Sequence, residues 1–170
     1  MNKALFLDRD NTLIIDVPYN GDPDKVELIP GVIHVMRRFQ DLGYLLFIIS
    51  NQSGVGRGYI TESDMNKVNE KLILLLKNSE IEIKKIYNCI HHPDAACQCR
   101  KPNPGLLLKA AKEFNIDLNK SIMLGDKVSD VQAGINAGCK INVLISNDEN
   151  IQFDCLKIKK IKDILKLKFK

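Results

Sequence analysis

The chain has 170 residues, enough for one compact domain with a single core, so one domain over 1–170 is expected. Apolar residues make up 45% and charged residues 27% of the chain, which excludes a disordered or fibrous protein. The formal charge of +4 is unevenly placed: seven lysines and one acid, Asp163, lie between Lys157 and Lys170, so the remainder is slightly acidic. With no Trp and no aromatic-basic stripe, nucleic acid is not an expected partner. No apolar run nears the roughly 20 residues of a membrane span, and Asp8 and Asp10 interrupt the place of a signal peptide. A cytoplasmic protein without membrane contact is therefore expected, its five cysteines mostly reduced and clustered ones better read as metal ligands.

Short apolar runs alternate with amphipathic ones, the pattern of a parallel sheet covered by helices. Ala4 to Leu7 reads as a first strand. Pro30-Gly31 opens a helix with Val32, Val35, Met36, Phe39 and Leu42 on one face, and Gly43 ends it. Tyr44 to Ile49 is a second strand. A cap-like Thr61 with Asp64 starts a helix whose buried face is Met65, Val68, Leu72 and Leu75. Ile83 to Ile90 follows as a third strand, then a stretch rich in Cys, His and Pro, then a helix from about Pro104 to Phe114. Ser121 to Leu124 is a fourth strand, Ser129 to Ala137 a short helix and Lys140 to Ile145 a fifth strand. In the tail Ile158, Ile161, Ile164, Leu165 and Phe169 recur at nearly helical spacing, which suits a solvated helical face; contact with nucleic acid or anionic lipid is the alternative.

Leu7, Ile49 and Leu124 are each followed at once by polar residues, and the carboxyl ends of parallel strands are where sites form. After the first comes Asp8-Arg9-Asp10. Two carboxylates one residue apart can share a divalent cation that keeps both ionised, although alone they also suit a turn in which Asp caps backbone N–H groups. The second strand runs into Ser50-Asn51-Gln52-Ser53-Gly54, whose hydroxyl and amide groups could hold phosphate oxygens or form a plain turn. Arg100-Lys101 offers positive charge, and Gly125-Asp126 directly follows the fourth strand, with Asp130 suited either to orienting Lys101 or to capping a helix. Between Cys89 and Cys99, a Cys-x-His pair and a Cys-x-Cys pair supply Cys89, His91, Cys97 and Cys99, the donors of a tetrahedral Cys3His zinc site; buried or redox thiols are the other reading. His92 is the less suitable ligand. Cys139 and Cys155 suit small core positions, and His34 a structural histidine.

These segments, in this order on successive strand ends, resemble the haloacid dehalogenase superfamily of phosphohydrolases over about Lys3 to Ile145. The resemblance implies an α/β fold, a three-layer Rossmann-like parallel sheet with helices on both faces and a zinc-binding loop. It also implies catalysis by Asp8 as nucleophile and Asp10 as general acid and base, assisted by Ser50 and Lys101. Mg2+ would be held by Asp8, the Asp10 main-chain carbonyl and Asp126, and Zn2+ would be structural.

The zinc loop ending in Arg100-Lys101-Pro102, with Asp-Arg-Asp and Ser-Asn-Gln-Ser-Gly, looks like the capless branch of heptose bisphosphate phosphatases and histidinol-phosphate phosphatases. That branch implies a monomer acting on a small sugar bisphosphate: hydrolysis of the 7-phosphate of D-glycero-D-manno-heptose 1,7-bisphosphate, in the synthesis of nucleotide-activated heptose. Histidinol phosphate is the alternative substrate, and a non-catalytic zinc-stabilised binding module the alternative class. Specificity would come from loops at about Asp16 to Asp24 and Gly54 to Tyr59 and from the zinc loop. Substrate contacts are expected from Asp16, Tyr19, Asn51, Gln52, Ser53, Arg57, Arg100 and Lys127, with Arg100 facing the distal phosphate. Asn11 stands where the family usually has Gly, and Asn tolerates left-handed backbone better than most residues. The five residues between His91 and Cys97 make a short zinc loop, which bears on substrate and anomer preference.

Overall fold

The β-branched and leucine-rich runs form a parallel six-stranded sheet in the computed structural model, which describes residues 1–167. In chain order the elements are β1 (Lys3–Leu7), α1 (Val32–Asp41), β2 (Tyr44–Asn51), α2 (Ser53–Gly56), α3 (Glu62–Lys77), β3 (Ile83–Cys89), α4 (Gly105–Phe114), β4 (Ile122–Gly125), α5 (Val128–Ala137), β5 (Ile141–Ile145) and β6 (Leu156–Ile158). The strand order is β3-β2-β1-β4-β5-β6. From β1 the chain winds outward through β2 to β3, then returns to place β4 on the other side of β1. The order therefore reverses between β1 and β4, and in open α/β sheets ligands bind beyond the strand ends at that point.

Alternation along the strands divides the core into two layers. Leu5, Leu7, Leu46, Ile48 and Leu124 face α1 and α3, meeting Val35, Met36, Phe39, Val68, Leu72 and Leu76. Ala4, Phe6, Phe47, Ile49 and Met123 face the opposite way, toward Leu106, Leu107 and Ala110 of α4 and Ala133 and Ala137 of α5. The helices begin where local chemistry supplies a cap. Thr61 accepts from the Asp64 amide while the Asp64 carboxylate accepts from the Thr61 amide, a reciprocal capping box that starts α3. Gly31, at φ 97°, supplies the left-handed residue preceding α1.

The tail departs from expectation. Instead of a solvated helix, it adds the short strand β6 beside β5 and then a 3-10 helix over Ile161–Lys166. Ile158, Ile161 and Ile164 are buried in the same layer as α1, with Leu165 packed against them, while Lys159, Lys160 and Lys162 remain exposed. Three buried isoleucines among lysines can follow either a helix or a strand-plus-turn, and pairing with β5 decides for the latter. Phe169 lies outside the described residues. Smaller corrections concern four further positions. Leu42 caps the end of α1 and is exposed, and Leu76 rather than Leu75 is fully buried. Cys155 is only partly buried and His34 is exposed, whereas Cys139 is a core residue as expected. Among the described residues no helix is long and apolar enough to cross a membrane.

Ile164→Ala is expected to lower stability by about 2–5 kcal/mol in urea unfolding, the usual cost of truncating a buried isoleucine. Lys162→Ala, on the exposed side of the same turn, should stay within about 0.5 kcal/mol of the parent.

Candidate active site

β2, the residue that follows β1 and the start of α5 converge on one buried ammonium. Lys101 Nζ, 1% exposed, lies 2.6 Å from Asp8 Oδ1 after β1, 2.7 Å from Asp130 Oδ1 on α5 and 2.6 Å from the Ile49 carbonyl of β2. Burial opposes the charge on Lys101, but Asp8 and Asp130 more than offset it and hold the ammonium above its ordinary pKa. Asp8 moves the other way from a usual carboxylate: burial raises it to about 7, against the pull of Lys101. The Lys101 backbone is also fixed, since Asn51 Nδ2 donates to its carbonyl and its amide donates to Asn51 Oδ1, both at 3.1 Å. Asn51 is thereby committed to the loop that carries Lys101.

Asp130 serves both functions that its sequence position allowed. One oxygen binds Lys101, and the other accepts from the Lys127 amide at 2.9 Å at the start of α5. Gly125 is obligatory beside it, because a Cβ there would lie 2.3 Å from Asp130 Oδ2. Carboxylate oxygens of Asp8, Asp126 and Asp130 lie within 4.8 Å of one another. Burial and the neighbouring Asp130 push the Asp126 carboxyl up from its usual range, and its Oδ1 is buried with no hydrogen-bond partner among the described residues. Oxygen donors so crowded and only partly neutralised by one ammonium are the donor set of a hard divalent cation such as Mg2+. Asp10 contributes no side-chain oxygen to that cluster.

A cavity of about 480 Å³ opens over these groups. Of the expected residues it is lined by Asp8, Asp10, Asp16, Tyr19, Asn51, Gln52, Ser53, Arg100, Lys101 and Lys127. Ser50 is fully buried beneath it and accepts from Gln52 Nε2 at 2.7 Å. The same Gln52 nitrogen donates to Asp10 Oδ2 at 2.9 Å. Arg57 is exposed and is not part of the lining. Arg9 is a lining residue that motif reading passed over; its spacing between two acids resembled filler, yet its side chain is buried against Asp10 and Asn69. Tyr19 and Tyr59 stack edge to face with centroids 4.6 Å apart, tying the Asp16 to Asp24 loop to the Gly54 to Tyr59 segment. Asn11 adopts φ 57°, the left-handed conformation for which Asn is suited.

Next to the cavity, the three sulfurs of Cys89, Cys97 and Cys99 lie 3.3–3.5 Å apart, and His91 Nδ1 sits 3.1 Å from Cys99 Sγ and 3.5 Å from Cys89 Sγ. These are too long for a disulfide, at about 2.05 Å, and close to the roughly 3.8 Å edges of a tetrahedron built on Zn–S bonds. Burial raises Cys89 and pushes Cys99 up to about 12. At Cys97 burial is outweighed by hydrogen bonds from Cys99 and Cys89, which draw it down to about 6. Such a set can hold zinc, which would replace the shared protons. His92 stays outside it, paired with Asp94. The loop is clasped on both sides: a Cβ at Gly56 would lie 2.4 Å from the His92 nitrogen, and one at Gly105 would lie 2.4 Å from the Gln98 carbonyl.

Two measurements check these sites. Metal analysis should find about one tightly held Zn2+ per chain, lost in Cys99→Ser together with several degrees of Tm. Because proton and cation compete for Asp8, the Kd for Mg2+ should rise as the pH falls from about 8 to about 6, with proton release on binding seen by calorimetry in two buffers.

The chain is similar to known proteins in both sequence and fold. A family model described as HAD-hydrolase-like matches residues 98–156. The chain is 44% identical over 151 residues to a D-glycero-beta-D-manno-heptose-1,7-bisphosphate 7-phosphatase of Haemophilus influenzae, covering 85% of this chain and 82% of the relative. It is 43% identical over 164 residues to the D-glycero-alpha-D-manno-heptose-1,7-bisphosphate 7-phosphatase of Campylobacter jejuni, covering 96% and 94%. Among solved structures, the D,D-heptose 1,7-bisphosphate phosphatase of B. bronchiseptica, complexed with magnesium and phosphate, superposes with a TM-score of 0.86 at 25% identity, covering 96% of both chains. The protein is thus a phosphoric monoester hydrolase, and it belongs to the haloacid dehalogenase-like phosphatases, in the branch of the heptose bisphosphate phosphatases.

Proposed function

We propose that this single-domain chain hydrolyses the 7-phosphate of D-glycero-D-manno-heptose 1,7-bisphosphate through an aspartyl-phosphate intermediate on Asp8. The observation that carries the reading is the arrangement along one cavity: Asp8 and Lys101 in contact at 2.6 Å, with Arg100 and Lys127 lining the same space. One cationic group serves the reacting phosphate and the others suit a second phosphate. Arg100 Nη1 is buried with no hydrogen-bond partner among the described residues, which supports an anionic contact there. The names of the relatives at 43–44% identity supply the sugar.

In the first step an Asp8 oxygen attacks phosphorus, the bond to the C7 oxygen breaks and Asp10 delivers a proton to the departing alkoxide. In the second, water attacks the aspartyl phosphate, Asp10 takes its proton, and phosphate leaves with Asp8 regenerated. No described residue donates to Asp8 Oδ2, whereas Lys101 engages Oδ1, so the two oxygens are already differentiated. Mg2+, held by Asp8, the Asp10 main-chain carbonyl and Asp126, would neutralise charge on the transferring phosphoryl group. Ser50 and Lys101 would bind its oxygens, with Gln52 and Ser53 at the cavity wall. Asp16 and Tyr19 would border the sugar, and Arg57 would act only by way of its loop. The reading also takes the chain as a cytoplasmic monomer that acts on a small sugar bisphosphate away from any membrane.

Phosphate release with Mg2+ should show a higher kcat/KM on one or both heptose bisphosphate anomers than on histidinol phosphate; the reverse order would overturn the substrate. Asp8→Asn should lose at least about three orders of magnitude in kcat, and undiminished turnover would remove Asp8 as nucleophile.

A further inference from the structure

Arg9 is the bulkiest fully buried side chain among the described residues, at 1% exposure, and it carries a planar guanidinium into the interior. Its Nε and Nη2 bracket the Asp10 carboxylate, reaching both oxygens at 3.1–3.3 Å. The third nitrogen, Nη1, donates to Asn69 Oδ1 of α3 at 2.9 Å. Asn69 is itself buried, and it braces the guanidinium from the side opposite the carboxylate. Gln52 then holds Asp10 Oδ2 from β2's end.

A buried charge of this kind is a poor means of stabilising a core, since an apolar residue of similar volume usually does as well or better. Its use here is geometric. The planar fork fixes the rotation of one carboxylate, and that carboxylate is Asp10. We infer that Arg9, braced by Asn69, is a positioning residue that holds the Asp10 carboxylate in the orientation from which it exchanges protons with the leaving alcohol and with water. This inference rests on the reading of Asp10 as general acid and base.

The test compares two leaving groups. A sugar alkoxide needs a proton as it departs; p-nitrophenolate does not, and kcat/KM reports the first chemical step alone. Asp10→Asn should lose about 10²–10⁴-fold in kcat/KM on heptose bisphosphate and far less on p-nitrophenyl phosphate. Arg9→Met should reproduce that split at about 10–100-fold, Arg9→Lys, which keeps the charge without the fork, should recover part of it, and Asn69→Leu should show a smaller loss with the same split. If Arg9→Met fails to fold, Arg9→Lys and Asn69→Leu decide. Equal losses on both substrates, or none, would make Arg9 a structural residue only and overturn the inference. Should Asp10→Asn itself fail to separate the two substrates, the proton-transfer reading of Asp10 falls, and the inference falls with it; a split in Asp10→Asn that is absent from the other variants removes the inference alone.

Discussion

The rest of the site depends on one ammonium placed where three carboxylates meet. Lys101 Nζ is shared by Asp8, Asp130 and the Ile49 carbonyl, so a single group ties the ends of β1 and β2, the loop after β3 and the start of α5. Removing one partner from such a buried pair typically costs about 3–5 kcal/mol, because the other charge is left without compensation. With Asp126 in the same cluster, the acids outnumber the cation and the pocket remains electronegative at its floor. Such a cluster suits a divalent cation, which would offset the charge that a phosphate brings. The raised pKa of Asp8 expresses the same fact: without a further cation, burial favours its protonated form.

Delivery of Lys101 is a task for the loop that carries Cys97 and Cys99. The loop leaves β3 at Cys89 and returns at Lys101, and between them a stretch without regular strand or α-helix must present Arg100 and Lys101 at fixed positions. A tetrahedral metal held by Cys89, His91, Cys97 and Cys99 would cross-link so short a span. Close backbone approaches at Gly56 and Gly105 seat the loop against α2 and α4, and the reciprocal bonds of Asn51 fasten its final residue to β2. On the opposite wall the Asp16 to Asp24 loop meets the Gly54 to Tyr59 segment through the Tyr19 and Tyr59 rings.

Positive charge in the tail has a different explanation from positive charge in the cavity. The lysines at 159, 160 and 162 are the exposed side of a segment whose isoleucines complete the layer over α1. Net charge thus says little about this protein's ligand, since the charges that matter are Arg100, Lys101 and Lys127 set against Asp8, Asp126 and Asp130.

The sheet, its helices and the chemical groups were legible in the sequence because each is encoded over a few neighbouring residues. Alternation defined β1 to β5, Thr61 with Asp64 marked a helix start, and Asp8-Arg9-Asp10 and the paired Cys and His residues declared their donors by spacing. Strand β6 was not legible, since Ile158 falls into the nearly helical spacing of the tail and Leu156–Ile158 become a strand only by pairing with β5. The double engagement of Asp130, the commitment of Asn51 to the Lys101 backbone and the burial of Arg9 against Asn69 were decided only in three dimensions. Each joins groups tens of residues apart or turns a side chain by its surroundings. Residue types and local spacing determine which charges and donors are present; the order of strands in the sheet determines which of them meet.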